Sequence, residues 1–545
     1  MSKVAHYLQE HLVGEVMTSI DARRYFATDA SIFSLPPAIV VYPRNENDVR
    51  KTARFTWQLA ERGRIIPVTG RGLGTDQSGA ALGNGIMMVF PAHMHRLLEF
   101  DSKSGDVTVE PGINFGKLQQ TLFSHYRFLP PYPASSEYST IGGAIANNAG
   151  GERSVKYGTI RNFVKRLRFV LANGEVIEVR RLNRRELNKK LGLNSLEGEI
   201  YRQVDRMLEE NHALIEKSRP QVTKNAAGYN LWDIRKKDGS FNLVPLLVGS
   251  QGTLGIVTEA TLETEQHNPN TTLIVTFVDD LNVAQEIISE LRKFSELPAT
   301  IEMVDSHLLE FVQAHSPTLL KNVVDPPFQK IALFIEFDNL TDRVQKRTAK
   351  KAVKLLNKYK LPYRMETDPD QKEQLWKIRQ AAATVLSHNE GGAKPVPIIE
   401  DGVVPIDRFQ EFLTGIYEIF NNLHLPISVW GHAGNANLHV QPLLNLGQVG
   451  DRQKVFKLLD DYYSLVMRLG GSTTGEHGDG RLRGPFLEQL YGTEMYNLFR
   501  QVKQIFDPYG TLNPGVKIGV TLEDVKPLIR QEYDLMHFYD HMPRS

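Results

Sequence analysis

The stretch Pro67-Val68-Thr69-Gly70-Arg71-Gly72-Leu73-Gly74-Thr75-Asp76-Gln77-Ser78-Gly79 constrains this chain more than any other. Ile65-Ile66 precedes it, and Ile86-Met87-Met88-Val89-Phe90 follows a Gly-Asn-Gly turn signal, so the region reads as strand, glycine loop, strand. Glycines let a backbone approach a ligand closely and present consecutive N–H groups to an anion. The loop is therefore a candidate diphosphate cradle. No Gly-Lys-Ser/Thr follows, which excludes a Walker A site. The third glycine comes too early, and no helix signal follows, for a Rossmann turn. The competing reading is a plain glycine-rich turn in a β-rich domain.

The regions around the loop point to an α+β nucleotide-binding unit. Ala38 to Pro43 is an apolar strand. Glu46 to Glu61 has helical spacing, with Val49, Ala53, Trp57 and Ala60 on one face. Val107 to Gly112 reads as a strand and Phe115 to Leu122 as a helix, while Val164 to Arg180 alternates around an Asn173-Gly174 turn. Thr140 to Gly151 holds two Gly-Gly pairs among small residues; it suits either a flat ligand against the backbone or tight helix packing. Lys224 to Asn230 and Gly249 to Thr258 are further glycine and hydroxyl loops.

The character changes after Glu265. Thr272–Phe277, Ile331–Phe337 and Tyr363–Thr367 read as strands, and Leu281–Phe294, Thr341–Lys358 and Gln371–Ser387 as helices. This predicts an α+β unit whose antiparallel sheet carries helices on one face.

At 545 residues the chain has room for two to four domains. Its net charge of +1 gives no reason to expect a nucleic-acid partner. With no cysteine it has no disulfide, no thiolate metal site and no cysteine-ligated iron–sulfur cluster of its own. Met1 to Asp21 lacks the unbroken apolar core of a secretory signal, and no run reaches about 18 apolar residues, so no membrane span is expected.

The residues best suited to chemistry lie near the C-terminal end. Ser428 to Gln441 reads as a hairpin with His432 and His439 near opposite ends of its Gly-Asn turn. That spacing fits no single helix face, so only a folded loop brings the two together. Glu476 and His477 sit in Gly475-Glu476-His477-Gly478-Asp479-Gly480. Two imidazoles and a carboxylate make a common open metal site. A single histidine is more often structural.

Together these motifs, with Asn513-Pro514-Gly515-Val516-Lys517, resemble the FAD-linked 2-hydroxyacid dehydrogenases of the vanillyl-alcohol oxidase superfamily. That group includes D-lactate and D-2-hydroxyglutarate dehydrogenases and the glycolate oxidase flavin subunit. The wording from Gly475 to Arg483 is most like the flavin half of large bacterial FAD/iron–sulfur fusions. The resemblance runs from about Tyr25 to Val520. It implies an α+β fold: a PCMH-type FAD-binding domain of two subdomains plus an α+β cap with an antiparallel sheet. The corresponding division is an N-terminal segment 1–37, the FAD-binding domain 38–265, the cap 266–480 and a C-terminal helical segment 481–545 returning to the FAD domain.

The same resemblance implies the site. Gly70, Arg71, Gly72, Gly74 and Thr75 would cradle the FAD diphosphate, with Ser78 near the flavin. Pro133, Ser135, Ser136, Thr140, Gly142, Gly143 and Asn147 would line the dinucleotide, and Gly252, Ile256 and Val257 would hold its adenosine side. The FAD would be noncovalent. His432, His439 and Glu476 match ligands of a divalent metal, zinc or manganese, and His477 matches the base. Arg379 matches the clamp on the substrate carboxylate, and Lys394 a second cationic contact; a guanidinium suits bidentate carboxylate binding. A solvated helix charge is the plainer reading of Arg379.

The implied activity is oxidation of a D-2-hydroxyacid to the 2-oxoacid, with hydride passing to flavin N5. A quinone, a soluble carrier or a separate iron–sulfur subunit would accept the electrons. A homodimer, and a place in the cytoplasm or at the inner membrane's periphery, fit the same picture. A flavin oxidase acting on another alcohol or sugar, or a noncatalytic flavin-fold subunit, are the alternatives. Asn435, Ala436, Gln441 and Ala383 depart from the family's usual residues and leave the substrate open.

Overall fold

The computed structural model describes residues 2–321, 324–380, 382 and 392–534. The first sheet is ordered Glu15–Met17, Ile39–Tyr42, Ile86–Val89, Val68–Arg71. Its outer pair is antiparallel and the remaining pairs are parallel. The glycine loop thus leaves the end of a parallel edge strand. The Glu46–Ala60 helix starts at Asn45, whose side chain accepts from Asp48 N, and buries Val49 and Ala53 in the core formed with Val68, Ile86 and Met88. Trp57 sits at the margin of that face, edge-on to Tyr509.

The second sheet is antiparallel, in the order Leu97–Phe100, Val107–Val109, Ile256–Leu262, Val164–Val170, Val176–Arg180. Every second residue of Ile256–Leu262 is buried, the period-two signature of a sheet with one packed face. That face meets the Phe115–Ser124, Leu196–Glu210 and Thr493–Phe506 helices. The small-residue stretch is itself a helix, Ile141–Asn147, which opens at Thr140 and closes at Asn148 in the left-handed region.

The third sheet has six antiparallel strands: Tyr363–Glu366, Thr272–Val278, Ile331–Phe337, Thr300–Asp305, Val429–His432 and Asn437–Val440. Helices cover both of its faces, a correction to the expected one. Ile331, Leu333 and Ile335 pack with the Leu281–Leu291, Asp342–Lys358 and Phe409–Asn422 helices, whereas Ala332 and Phe334 pack with Ser306–His315 and Pro369–Gln380. Burial on two faces is why Ile331–Phe337 is apolar nearly throughout rather than alternating. Of the expected Gln371–Ser387 helix, residues up to Gln380 and Ala382 are described, within and just after the Pro369–Gln380 helix, and Ala383 lies outside the described residues.

Among the contacts that tie distant parts of the chain together, two sets bear on the site. Leu512 bridges to Val68, and Asn513 donates to Ala80 O and Gln251 O, so the Asn-Pro-Gly stretch closes against the glycine loop's strand. Arg153 pairs with Glu336 and Asp338 of the six-stranded sheet at 3.0 and 3.1 Å, and Lys156 and Tyr157 also bind Asp338.

Candidate active site

One cavity is lined by the glycine loop, the Ile141–Asn147 helix, the Gly249–Val257 segment, Glu476 and His477. Of the residues expected to hold FAD, Gly70, Arg71, Gly72, Gly74, Thr75, Pro133, Ser135, Thr140, Gly142, Gly143, Asn147, Gly252, Ile256 and Val257 all line it. Ser78 and Ser136 are not on this wall. Ser78 is buried behind Asp76, to which its hydroxyl donates at 2.9 Å.

The wall suits an anionic ligand. Among the described residues the amides of Leu73, Gly74 and Thr75 have no protein acceptor. Arg71 is buried and held by Thr28 O and Ala81 O. Gly72 packs so close to Thr140 Oγ1 that a Cβ would collide with it, which keeps the loop and the Ile141–Asn147 helix in contact.

Glu476, on the cavity wall, meets the histidine hairpin. Trp430 pairs with His439 and His432 with Asn437, so both histidines lie on one face of the hairpin. Their rings stand 5.0 Å apart, perpendicular, and His439 stacks 5.5 Å from His477. Both imidazoles turn Nε2 toward the same oxygen, Glu476 Oε1, at 2.8 and 3.6 Å. Behind them, His432 Nδ1 lies 2.6 Å from Glu302 and His439 Nδ1 lies 3.4 Å from Glu400. His439 Nδ1 is buried without a hydrogen bond. The other Glu476 oxygen receives Lys224 Nζ at 2.7 Å. The structure thus gathers His432, His439, Glu476 and His477, with donor atoms of His432, His439 and Glu476 all within 4.8 Å of one another.

His477 Nδ1 lies 2.7 Å from Glu400 Oε1, and Nε2 has no protein partner among the described residues. Burial pulls its pKa down, but Glu400 and Asp401 outweigh it and hold it at about 9. Glu476 is held well below the usual carboxylate range: burial opposes this, and Lys224 and His432 prevail. Asp401 accepts the backbone N–H of Glu476 and of His477, and so clamps the turn that carries both.

Arg379 joins the cluster through an unforeseen partner. Its Nε and Nη2 both contact Glu302 Oε2, at 3.0 and 2.9 Å. Lys394 lies on a two-residue strand beside Leu443–Leu444, with its ammonium 3.9 Å from Asp534; among the described residues it makes no ion pair with the cluster.

Sequence reasoning missed Glu302, Glu400, Asp401, Lys224 and Glu152. Glu152 faces Arg379 and Glu302, and burial raises its pKa. A signal existed for three of them. Glu302 interrupts Thr300-Ile301-Glu302-Met303-Val304, and Glu400-Asp401 interrupts Ile398-Ile399 and Val403-Val404. An acid inside an apolar strand needs a buried partner, which is a reason to look for one.

Residues 37–180 match the family described as "FAD binding domain", and residues 267–516 match "FAD linked oxidases, C-terminal domain". The chain carries both domains of the FAD-linked oxidases. Its fold is the PCMH-type FAD-binding fold with an antiparallel-sheet cap. Among relatives of this family, the D-2-hydroxyglutarate dehydrogenase of Escherichia coli (strain K12) is 30% identical over 93% of this chain and 50% of its own length. The D-lactate dehydrogenase of Archaeoglobus fulgidus is 28% identical over 92% of this chain and 96% of the relative. The chain spans about half the length of the D-2-hydroxyglutarate dehydrogenases it matches first. A 4-ethylphenol oxidase from Gulosibacter chungangensis superposes with a TM-score of 0.66 at 12% identity, covering 96% of this chain and 98% of that one; the likeness is one of fold. No described helix is long and apolar enough to cross a membrane.

Proposed function

We propose that the chain is a D-2-hydroxyacid dehydrogenase using FAD and a divalent metal. The observation that carries this is that Glu476 and His477 line the cavity built by the FAD-binding loops and are gathered there with His432 and His439 behind them. The unpaired amides of Leu73, Gly74 and Thr75 suit the diphosphate. Two imidazoles with Nε2 turned to one carboxylate oxygen, each backed by an acid at Nδ1, suit a metal such as zinc or manganese.

FAD, when bound, supplies the hydride acceptor. A divalent cation supplies a Lewis acid that lowers the hydroxyl pKa of the substrate and opposes the acids that raise His477. Arg379 binds the substrate carboxylate through the guanidinium edge that Glu302 leaves free. His477 takes the hydroxyl proton at Nε2 while Glu400 holds Nδ1. Lys224 keeps Glu476 ionised. The chain has no cysteine, so the electrons leave to an external acceptor.

The test is anaerobic. The purified yellow protein is mixed with D-lactate, D-2-hydroxyglutarate, glycolate and malate, before and after removal of metal by EDTA. Bleaching of the flavin by a D-acid, lost on chelation and restored by Zn²⁺ or Mn²⁺, is expected. A colourless preparation defeats the flavin assignment, and full bleaching in metal-free protein removes the metal.

A further inference from the structure

Glu302 is wholly buried on the Thr300–Asp305 strand. The register Met303 to Gly431 and Val304 to Trp430 sets it directly across from His432. Its two oxygens have separate tasks. Oε1 takes His432 Nδ1 at 2.6 Å, and Oε2 takes both Nε and Nη2 of Arg379. A guanidinium has two edges that can hold a carboxylate side-on, Nε with Nη2 and Nη1 with Nη2. Glu302 occupies the first through one oxygen, and among the described residues Nη1 of the second makes no hydrogen bond or ion pair. The same bond at His432 fixes the ring with Nε2 toward Glu476.

We infer that Glu302 is a positioning residue that sets the spacing between Arg379 and His432, and hence between the point where a substrate's carboxylate is held and the point where its hydroxyl is activated. The inference rests on the function proposed above. A 2-hydroxyacid carries those two groups on adjacent carbons, so a shift of either protein group is felt at once by the other end of the same small molecule. One rigid carboxylate on a central strand does this better than two independent side chains, since neither partner can move without the other.

Two substitutions separate this role from simple core stability. Glu302→Gln keeps the shape but has one acceptor oxygen, so either Arg379 loses its acceptor or His432 meets an amide N–H at Nδ1 and carries its own proton on Nε2, the atom turned toward Glu476. Glu302→Asp keeps the charge but loses ~1.5 Å of reach. Both are prepared with FAD bound. Zn²⁺ affinity is measured by competition with a chromophoric chelator, KM and kcat with the 2-hydroxyacid that bleaches the wild-type flavin, and folding by thermal denaturation.

The expected result for Glu302→Gln is Zn²⁺ binding weakened about 10- to 100-fold together with a KM raised about tenfold or more, at unchanged FAD content. Glu302→Asp is expected to fall between Gln and wild type on both readouts. Either variant, folded and yellow, with wild-type Zn²⁺ affinity and wild-type KM overturns the inference while the function stands. A fall in thermal stability with neither constant moved also overturns it. Wild-type protein that neither binds Zn²⁺ nor is bleached by any of the acids overturns the function, and the positioning role falls with it.

Discussion

His477 can serve as a base only while neutral, yet Glu400 and Asp401 hold it at about 9 against the opposing pull of burial. The acids that orient the ring therefore also load it with a proton, unless a cation on the neighbouring ligands offsets them. His477→Asn should retain FAD and slow anaerobic flavin bleaching about 10²- to 10⁴-fold, the range general-base catalysis supplies. Stopped-flow absorbance measures it, and a variant within a factor of three of wild type removes His477 from that role. A second titration belongs to stability. Asp29 is buried, its Oδ1 bonded to Ser31 N and Oγ and its Oδ2 without a partner. Burial, with Asp76 nearby, raises it to about 7. Between about pH 4 and 7 the folded chain keeps a proton that the unfolded chain has released, so this group's contribution to stability is greatest at low pH and falls as pH rises through that window. Asp29→Asn should gain on wild type between pH 5 and pH 8, by on the order of a few kcal/mol. Urea midpoints at the two pH values give the comparison; an unchanged difference contradicts the assignment.

At the scale of the element, the Ile141–Asn147 helix is glycine-rich because of what lies against it. A Cβ on Gly142 would sit 2.7 Å from Pro111 Cβ and 2.8 Å from Pro111 O. Alanine would improve helix propensity by about 1 kcal/mol, but overpacking costs about 1–3 kcal/mol, so the clash wins. Gly142→Ala should push the helix off the turn at Pro111 and lower FAD occupancy, read as the 450-to-280 nm absorbance ratio. Gly192→Ala, where a Cβ would meet only ordinary 3.6 Å contacts, should leave occupancy unchanged. The histidine hairpin is the element most legible from sequence, since its residue spacing excluded a helix. The Thr300–Asp305 strand was not legible. Thr300, Glu302 and Asp305 leave only Ile301, Met303 and Val304 to carry the apolar pattern that marks a buried strand.

At the scale of the whole molecule, the site exists only if the halves stay in register. Arg153 is one polar tie, pairing with Glu336 and Asp338, both nearly out of solvent. Arg153→Met would leave two buried carboxylates without that partner, at a cost of about 3–5 kcal/mol. Calorimetry should show a lower first unfolding transition, and KM for the acid should rise as the cap loosens. An unaltered transition would mean that Lys156 and Tyr157 suffice to hold Asp338.

What the residues by themselves determined was local. Glycine spacing made a loop able to face an anion, and fourteen of the residues assigned through the family resemblance line one cavity. Histidine spacing made a hairpin with both rings on one face. The absence of cysteine excluded iron–sulfur chemistry in this chain. Only the tertiary structure decided which acids stand behind those histidines. Glu302 and Glu400 lie 130 and 39 residues before His432 and His439 respectively, and they meet the rings because strand pairing and the Asp401 turn carry them there. Local spacing reports which side chains share a face. It does not report which distant strand will lie beside that face, because that choice is made by burial of whole sheets rather than by neighbouring residues.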